Sequence, residues 1–327
     1  MTMDSSKDGL KATVTEIHRR LQSAEKIMVV SHLRPDGDAI GAMVALGLAI
    51  EATGKSAQMV LEDGIPVSYR HLEGSDRVLT HPKEPVDLVI VLDTSDLKRA
   101  GNVLNGYDPP DINIDHHITN ENFGKINLVV PKAVATTEIL AENMIEFGLS
   151  INQPVASALL TGLVTDTIGF RTSNVTPGVL RLAANLMERG ANLGELYTRS
   201  LTNKSYEAIR FWGAGLTKLN RDNEIVWTTL TLDDRKESGY QGRDDADLIN
   251  VLSTIHDFAV YIIFVEQPNK KVKVSWRAKP ELDVSIVASS FGGGGHPAAS
   301  GAEIQGDLDA VRQKVLQETQ KLLFPNK

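Results

Sequence analysis

Residues 26–41 read KIMVVSHLRPDGDAIG. An apolar run of strand length ends at Ser31 and His32, a Pro-Asp-Gly turn follows, and a long apolar helical stretch, AIGAMVALGLAIEATG (39–54), begins at once. Strand, turn and helix in that order form the first half of a βαβ unit. Working outward, the alternation recurs, with AQMVLE (57–62), VDLVIVLD (86–93) and INIDHH (112–117) reading as strands. Segments near 135–148, 153–168 and 176–190 carry helical spacing, and Pro154 and Pro177 sit where helices start. From 27 to about 190 the spacing therefore predicts an α/β layer with a mostly parallel sheet flanked by helices.

Residues 196–220 show no sheet pattern and read as a helical connector. Beyond them EIVWTTLTL (224–232), FAVYIIFVE (258–266) and KVKVSW (271–276) are strands, mixed with helical spacing near 244–255, 282–290 and 307–323. That is a smaller α/β unit. At about 150 residues per domain, 327 residues make two domains the expectation. The reading is 1–195 for the first, 196–220 for the connector and 221–327 for the second.

Composition narrows the chemistry. The absence of cysteine removes disulfides, zinc-thiolate sites, iron-sulfur clusters and thiol nucleophiles, so any metal must sit on oxygen and nitrogen. A net charge of −8 argues against a non-specific grip on long nucleic acid. The N-terminal MTMDSSKDGLKATV lacks the apolar core of a signal peptide, and no apolar run approaches the roughly 18 to 20 residues of a membrane span. These features point to a cytoplasmic protein without a membrane partner.

Polar residues interrupt the apolar pattern at four places. His32, Asp36 and Asp38 lie within seven residues after the first strand, at the strand end where open α/β sheets bind ligands. Their bland reading is a turn with Asp38 capping the helix. Asp93 ends the run VDLVIVLD, and such an aspartate is commonly a helix cap or turn residue. Asp115, His116 and His117 follow the next strand directly; solvent-facing turn histidines are the plain alternative. Asp166 interrupts the apolar run ASALLTGLVTDTIGF (156–170), where a buried charge needs a cation or several donors unless the helix end frays. Taken together, His32, Asp36, Asp38, Asp93, His116 and Asp166 form an oxygen-and-imidazole ligand set. Such sets suit manganese or magnesium, and six ligands suffice for two ions sharing a carboxylate, an arrangement that commonly hydrolyses phosphate esters.

In their order, HLRPDGDAIG, VLDTSD, DHH and LVTDT resemble the DHH phosphoesterases, and FGGGGHPAASGA (291–302) resembles the DHHA1 domain of their oligoribonuclease branch. The resemblance spans about 27–305 and is nearest to the nanoRNase and 3′-phosphoadenosine 5′-phosphate phosphatase type. It implies an N-terminal DHH domain, a smaller C-terminal DHHA1 domain and a cleft between them. It also implies one ion on His32, Asp36 and Asp93 and a second on Asp38, Asp93, His116 and Asp166, so that Asp93 bridges. Asp115 would orient the histidine pair, and His117 would face the substrate phosphate. In the second domain Arg277 on KVKVSWRAK (271–279), Gly293, Gly294, Gly295 and His296 would bind substrate, with Arg171 a further substrate-side residue. Lys271 and Lys273 on the same strand fit a solvated basic face better than Arg277 does. Two departures from the family pattern, Ala42 and Pro297, touch substrate preference and no metal ligand.

The resemblance thus implies a manganese-dependent phosphodiesterase and phosphomonoesterase, with magnesium as the alternative metal. Its substrates would be single-stranded oligonucleotides of about two to five residues and 3′-phosphoadenosine 5′-phosphate, which yields AMP; long duplexes would not bind. A homodimer is compatible with it. Three rivals stay open: a phosphodiesterase for cyclic or linear dinucleotide messengers, a RecJ-type single-strand exonuclease, and an inactive nucleotide-binding regulatory module.

Overall fold

The computed structural model describes residues 5–107 and 109–324; the first four residues of the N-terminal segment discussed above lie outside the described range. Two compact units meet in sequence at Asn203 and Lys204. Each is an α/β unit with its own sheet. Among the described residues no helix is long and apolar enough to cross a membrane.

In chain order the first unit runs α1 (Ser5–Ser23), β1 (Lys26–Val30), α2 (Gly37–Glu51), β2 (Ser56–Val60), β3 (Leu88–Leu92), β4 (Ile112–Asp115) and β5 (Ile126–Val129). Helices α3 (Thr136–Asn143), α4 (Gln153–Asp166), α5 (Pro177–Glu188) and α6 (Leu193–Tyr197) follow. The sheet order is β2-β1-β3-β4-β5, and every pair is parallel. The inner strands β1 and β3, buried on both faces, read as continuous apolar runs rather than alternating ones. Ile27 and Val29 of β1 join the larger core under the helices, whereas Met28 and Val30 face a second cluster with Ala100, Val103 and Leu104.

The order reverses between β1 and β3, which opens the crevice at their carboxyl ends where ligands bind in such sheets. Helices α2 and α4 frame it. They cross without room for side chains, since a Cβ on Gly41 would lie 2.5 Å from the Ala158 carbonyl oxygen. Asn152 and Thr176 cap α4 and α5, with prolines in their first turns as the spacing predicts.

Several elements differ from expectation. Helix α1 was not evident in the sequence, because among its described side chains only Val14, Ile17 and Leu21 turn to the core from otherwise polar surroundings. The helix expected over 135–148 stops at Asn143. The connector 196–220 contains the end of α6, a π-turn over Thr198–Thr202, and helix α7 (Tyr206–Leu216).

The second unit then runs β6 (Asn220–Asp222), β7 (Ile225–Leu230), α8 (Leu232–Ser238), α9 (Leu248–Leu252), β8 (Val260–Gln267), β9 (Lys271–Ala278), α10 (Ser285–Ser290), β10 (Gly294–His296), β11 (Ala299–Gln305) and α11 (Leu308–Leu323). Its sheet is mixed, in the order β10-β11-β9-β8-β7-β6. Helix α9 is shorter than the 244–255 pattern, because Ala246 and Asp247 adopt positive φ and break the helical path. Within the glycine run, Gly294 and Gly295 belong to β10 and pair with Gly301 and Ser300 of β11.

Candidate metal centre

The crevice is assembled from three strand ends and one helix end. Ser31 Oγ donates to the Leu92 carbonyl oxygen at 2.8 Å and ties the ends of β1 and β3 together. The next residue, His32, is buried, with Nδ1 2.8 Å from the Leu33 carbonyl oxygen. A carbonyl only accepts, so Nδ1 carries the proton in that bond and Nε2 is turned to the carboxylates. Nε2 lies 3.8 Å from Asp36 Oδ2 and 3.7 Å from Asp93 Oδ2.

Asp36, not Asp38, caps α2. Its Oδ1 accepts from the Asp38 and Ala39 amides, both at 3.1 Å, which leaves Oδ2 on the histidine side. Asp38 is instead buried beneath the start of α3. Its Oδ2 accepts from the Thr136 amide at 2.6 Å, and its Oδ1 from the Thr137 amide at 3.1 Å and hydroxyl at 2.6 Å. The sequence reading missed Thr136 and Thr137. The only local signal was a threonine pair before a glutamate at a helix start.

Asp93 follows β3 with φ 55°, a left-handed conformation that is strained for most side chains and is held by its amide bond to the Ile114 carbonyl oxygen at 3.0 Å. Its oxygens diverge. Oδ2 faces His32, whereas Oδ1 accepts from Thr136 Oγ1 at 3.0 Å and lies 3.6 Å from His116 Nε2. His116 Nδ1 lies 3.3 Å from the Ala133 carbonyl oxygen, and Nε2 is 3.7 Å from Asp166 Oδ2 at the end of α4. His117 Nδ1 donates to Asp115 Oδ1 at 2.7 Å, and Asp115 Oδ2 accepts from Asn120 Nδ2 at 2.6 Å. Asn120 also donates to the Thr94 carbonyl oxygen at 3.0 Å and went unnoticed in the sequence.

Three groups in this unit bring donor atoms within 4.8 Å of one another: His32, Asp36 and Asp93; Asp38, His116 and Asp166; and Asp93, Asp115 and His117. Among the described residues their carboxylates form ion pairs with histidines alone. Burial, then the charge of Asp93, pushes the Asp38 carboxyl up to about 7. Asp166 is raised as well, by burial first and then by Asp38, Asp36 and Asp93, although its side chain keeps 29 % of its surface exposed. Asp93 goes the other way: burial opposes ionisation, but its bond to His32 and the charges of His117, His116 and His32 outweigh it and keep the carboxyl low. Burial likewise disfavours the charged form of His32, and Asp93 and Asp36 override it. Crowded carboxylates that pair with no lysine or arginine among the described residues, beside imidazoles whose Nε2 atoms face them, fit divalent cations with oxygen and nitrogen preference.

Arg171 stands on the exposed turn after α4. In the second unit, register places His296, Ala299, Arg277 and Tyr261 in one cross-strand row, followed by Gly294, Gly301, Ser275 and Ile263. Residues directly opposite share a face. The Tyr261 and Ile263 end of that face is packed under α7 and α9, whereas Val272, Val274 and Trp276 join the core on the other side. Arg277 is half-buried and donates to the Trp276 carbonyl oxygen at 3.1 Å. Gly293 and Gly295 are demanded by the hairpin, where added Cβ atoms would meet the Gly301 and Ala299 carbonyl oxygens at 2.2 and 2.6 Å. A Cβ on Gly294 would meet nothing within 4 Å.

Residues 26–163 match the DHH family, N-terminal domain, and residues 229–321 match the DHHA1 domain. The chain is 33% identical over 303 residues to the bifunctional oligoribonuclease and PAP phosphatase NrnA of Thermus thermophilus, covering 91% of this chain and 90% of that one. The protein of the same name from Bacillus subtilis is 26% identical over 294 residues, covering 89% and 93%. An exopolyphosphatase-related protein from Bacteroides fragilis, 24% identical, shares the fold with a TM-score of 0.87 over 95% of this chain and 97% of that one. Ordered motifs, the clustering of their acidic and imidazole side chains at the crevice of a parallel sheet, and relatives matched along nine-tenths of their length agree that the chain belongs to the DHH family, with a DHHA1 domain following.

Proposed function

We propose that this DHH phosphoesterase hydrolyses short oligonucleotides to mononucleotides and converts 3′-phosphoadenosine 5′-phosphate to AMP, with a pair of manganese ions. The divergence of the Asp93 oxygens carries the reading, since one faces the His32 group at 3.7 Å and the other the His116 group at 3.6 Å. His32, Asp36 and Asp93 would hold one ion; Asp38, Asp93, His116 and Asp166 the other. When bound, such ions lower the pKa of water and offset charge on the phosphate. The names of the relatives, oligoribonuclease and PAP phosphatase, support the substrate class.

The chain's own residues set the geometry. The Thr136 and Thr137 bonds fix the Asp38 carboxylate, and the Leu33 and Ala133 carbonyls fix the tautomers of His32 and His116. Asp115, itself held by Asn120, fixes the His117 ring through Nδ1, and Nε2 would then be the atom that meets a phosphate oxygen. Burial disfavours a charged His117 ring, but the bond to Asp115 and the charge of Asp93 outweigh it, which suits a donor to phosphate. Arg277, His296 and Gly293–Gly295 would bind a phosphate of the substrate, at a place where a bare Gly294 lets a ligand meet the backbone.

The test uses protein stripped of metal by chelation and dialysis. With a dinucleotide, mononucleotide should appear only once manganese is restored, and 3′-phosphoadenosine 5′-phosphate should release inorganic phosphate under the same conditions. No turnover of either substrate with manganese or magnesium would reject the reading.

A further inference from the structure

Residues 133–138, which lead into the first turn of α3, touch side chains of the metal centre from three different elements. The Ala133 carbonyl oxygen lies 3.3 Å from Nδ1 of His116, which follows β4. The Thr136 amide donates to Asp38 in α2 at 2.6 Å, and its hydroxyl to Asp93, which follows β3, at 3.0 Å. Thr137 adds two bonds to Asp38, from its amide at 3.1 Å and its hydroxyl at 2.6 Å. Among the described residues the segment makes no hydrogen bond to His32 or Asp36, whose partners are the Leu33 carbonyl and the Asp38 and Ala39 amides. It therefore serves one half of the centre and not the other.

Helical bonds do not hold this segment in place. Ala135, at the N-cap position of α3, is extended at φ −161° and ψ 156° and has no capping side chain. The anchor is Glu138, half-buried in the first turn, whose Oε2 accepts from the Val134 amide at 2.6 Å. A glutamate at the third helical position ordinarily reaches back to the N-cap amide. Glu138 reaches one residue further, to the peptide that joins Ala133 and Val134. A trans peptide is planar, with its N–H and C=O pointing opposite ways, so a carboxylate that fixes the Val134 N–H also aims the Ala133 carbonyl at His116. The first amides of α3 are already taken by Asp38, so capping of the helix does not require Glu138.

We propose that Glu138 is a positioning residue for the ion assigned to Asp38, Asp93, His116 and Asp166. By holding the peptide between Ala133 and Val134, it orients the His116 ring and keeps Thr136 between Asp38 and Asp93. The proposal rests on the two-ion reading given above. Its rival is a plain structural role, in which a negative charge at the start of α3 stabilises the helix. Side-chain length separates the two. Glu138→Gln keeps the reach and an acceptor oxygen but loses the charge, whereas Glu138→Asp keeps the charge but is one methylene too short to make the same bond.

The experiment titrates manganese into metal-stripped wild type, Glu138→Gln, Glu138→Asp and Glu138→Ala, following free Mn2+ by electron paramagnetic resonance and the binding heat by calorimetry. In Glu138→Asp and Glu138→Ala one of the two dissociation constants should rise by about 10-fold or more, the usual scale for losing a group that orients a metal ligand. The other should stay within about 3-fold of wild type, as should both constants in Glu138→Gln. Glu138→Asp covers the case in which Glu138→Ala does not fold. Unchanged constants in Glu138→Asp, a Glu138→Gln variant as impaired as Glu138→Ala, or equal weakening of both sites would overturn the proposal. Wild-type protein that takes up fewer than two manganese ions would reject the two-ion reading instead.

Discussion

At the residue scale, Asp93 faces both halves of the candidate metal centre, with Oδ2 toward His32 and Oδ1 toward His116, and offers the sharpest substitution. Asparagine has nearly the same volume and tolerates positive φ, so Asp93→Asn should fold and melt within a few degrees of wild type. Loss of its charge removes a ligand from both proposed ions, and kcat should fall by about 100-fold or more. Retention of more than about a tenth of the wild-type rate at saturating manganese would rule out the bridging role. Asp115→Asn separates a ligand from a positioning residue, because Asp115 also has donor atoms close to Asp93 and His117. As a positioning residue its loss should lower kcat roughly 10-fold without changing the manganese concentration at half-maximal activity; a large rise in that concentration would make it a ligand. The ionisable members of the site were legible because each breaks an apolar run. Thr136, Thr137 and Asn120 were not, because their partners are set by tertiary folding: Thr136 meets Asp38 across 98 residues of chain.

At the element scale, the site depends on how closely α2 and α4 approach. A Cβ on Gly162 would lie 2.4 Å from Thr137 Cγ2 and 2.5 Å from Asp38 Oδ1, inside the bond network that fixes Asp38. Gly162→Ala should therefore destabilise the fold by about 1–3 kcal/mol and reduce turnover. Gly213→Ala, on an exposed turn of α7 where a Cβ meets nothing within 4 Å, should do the reverse and stabilise by about 0.5–1 kcal/mol. Thermal or denaturant unfolding of both variants measures this contrast; equal effects would show that the helix contact is not tight. Parallel strands and the helices started by Pro154 and Pro177 were readable from apolar runs and caps, because those signals are local. Helix α1 was hidden by a narrow apolar stripe. Strand β10 was hidden by glycines, whose pairing with β11 depends on close backbone approach rather than on strand propensity.

At the scale of the whole molecule, a net charge of −8 limits how many phosphates of a long chain can find cationic partners. Lys271 already pairs with Glu303 at 2.7 Å on the basic face of β9, which further reduces what that face offers to an extended strand. Binding should thus be dominated by a few phosphates near the reacting bond. The direct test is kcat/KM measured on single-stranded oligonucleotides from 2 to about 24 residues, at fixed manganese and two salt concentrations. The account predicts a maximum at about two to five residues, a decline with length and a shallow salt dependence, since few counterions are released. Efficiency that rises steadily to 24 residues with a steep salt slope would contradict it and identify an exonuclease that tracks long single strands.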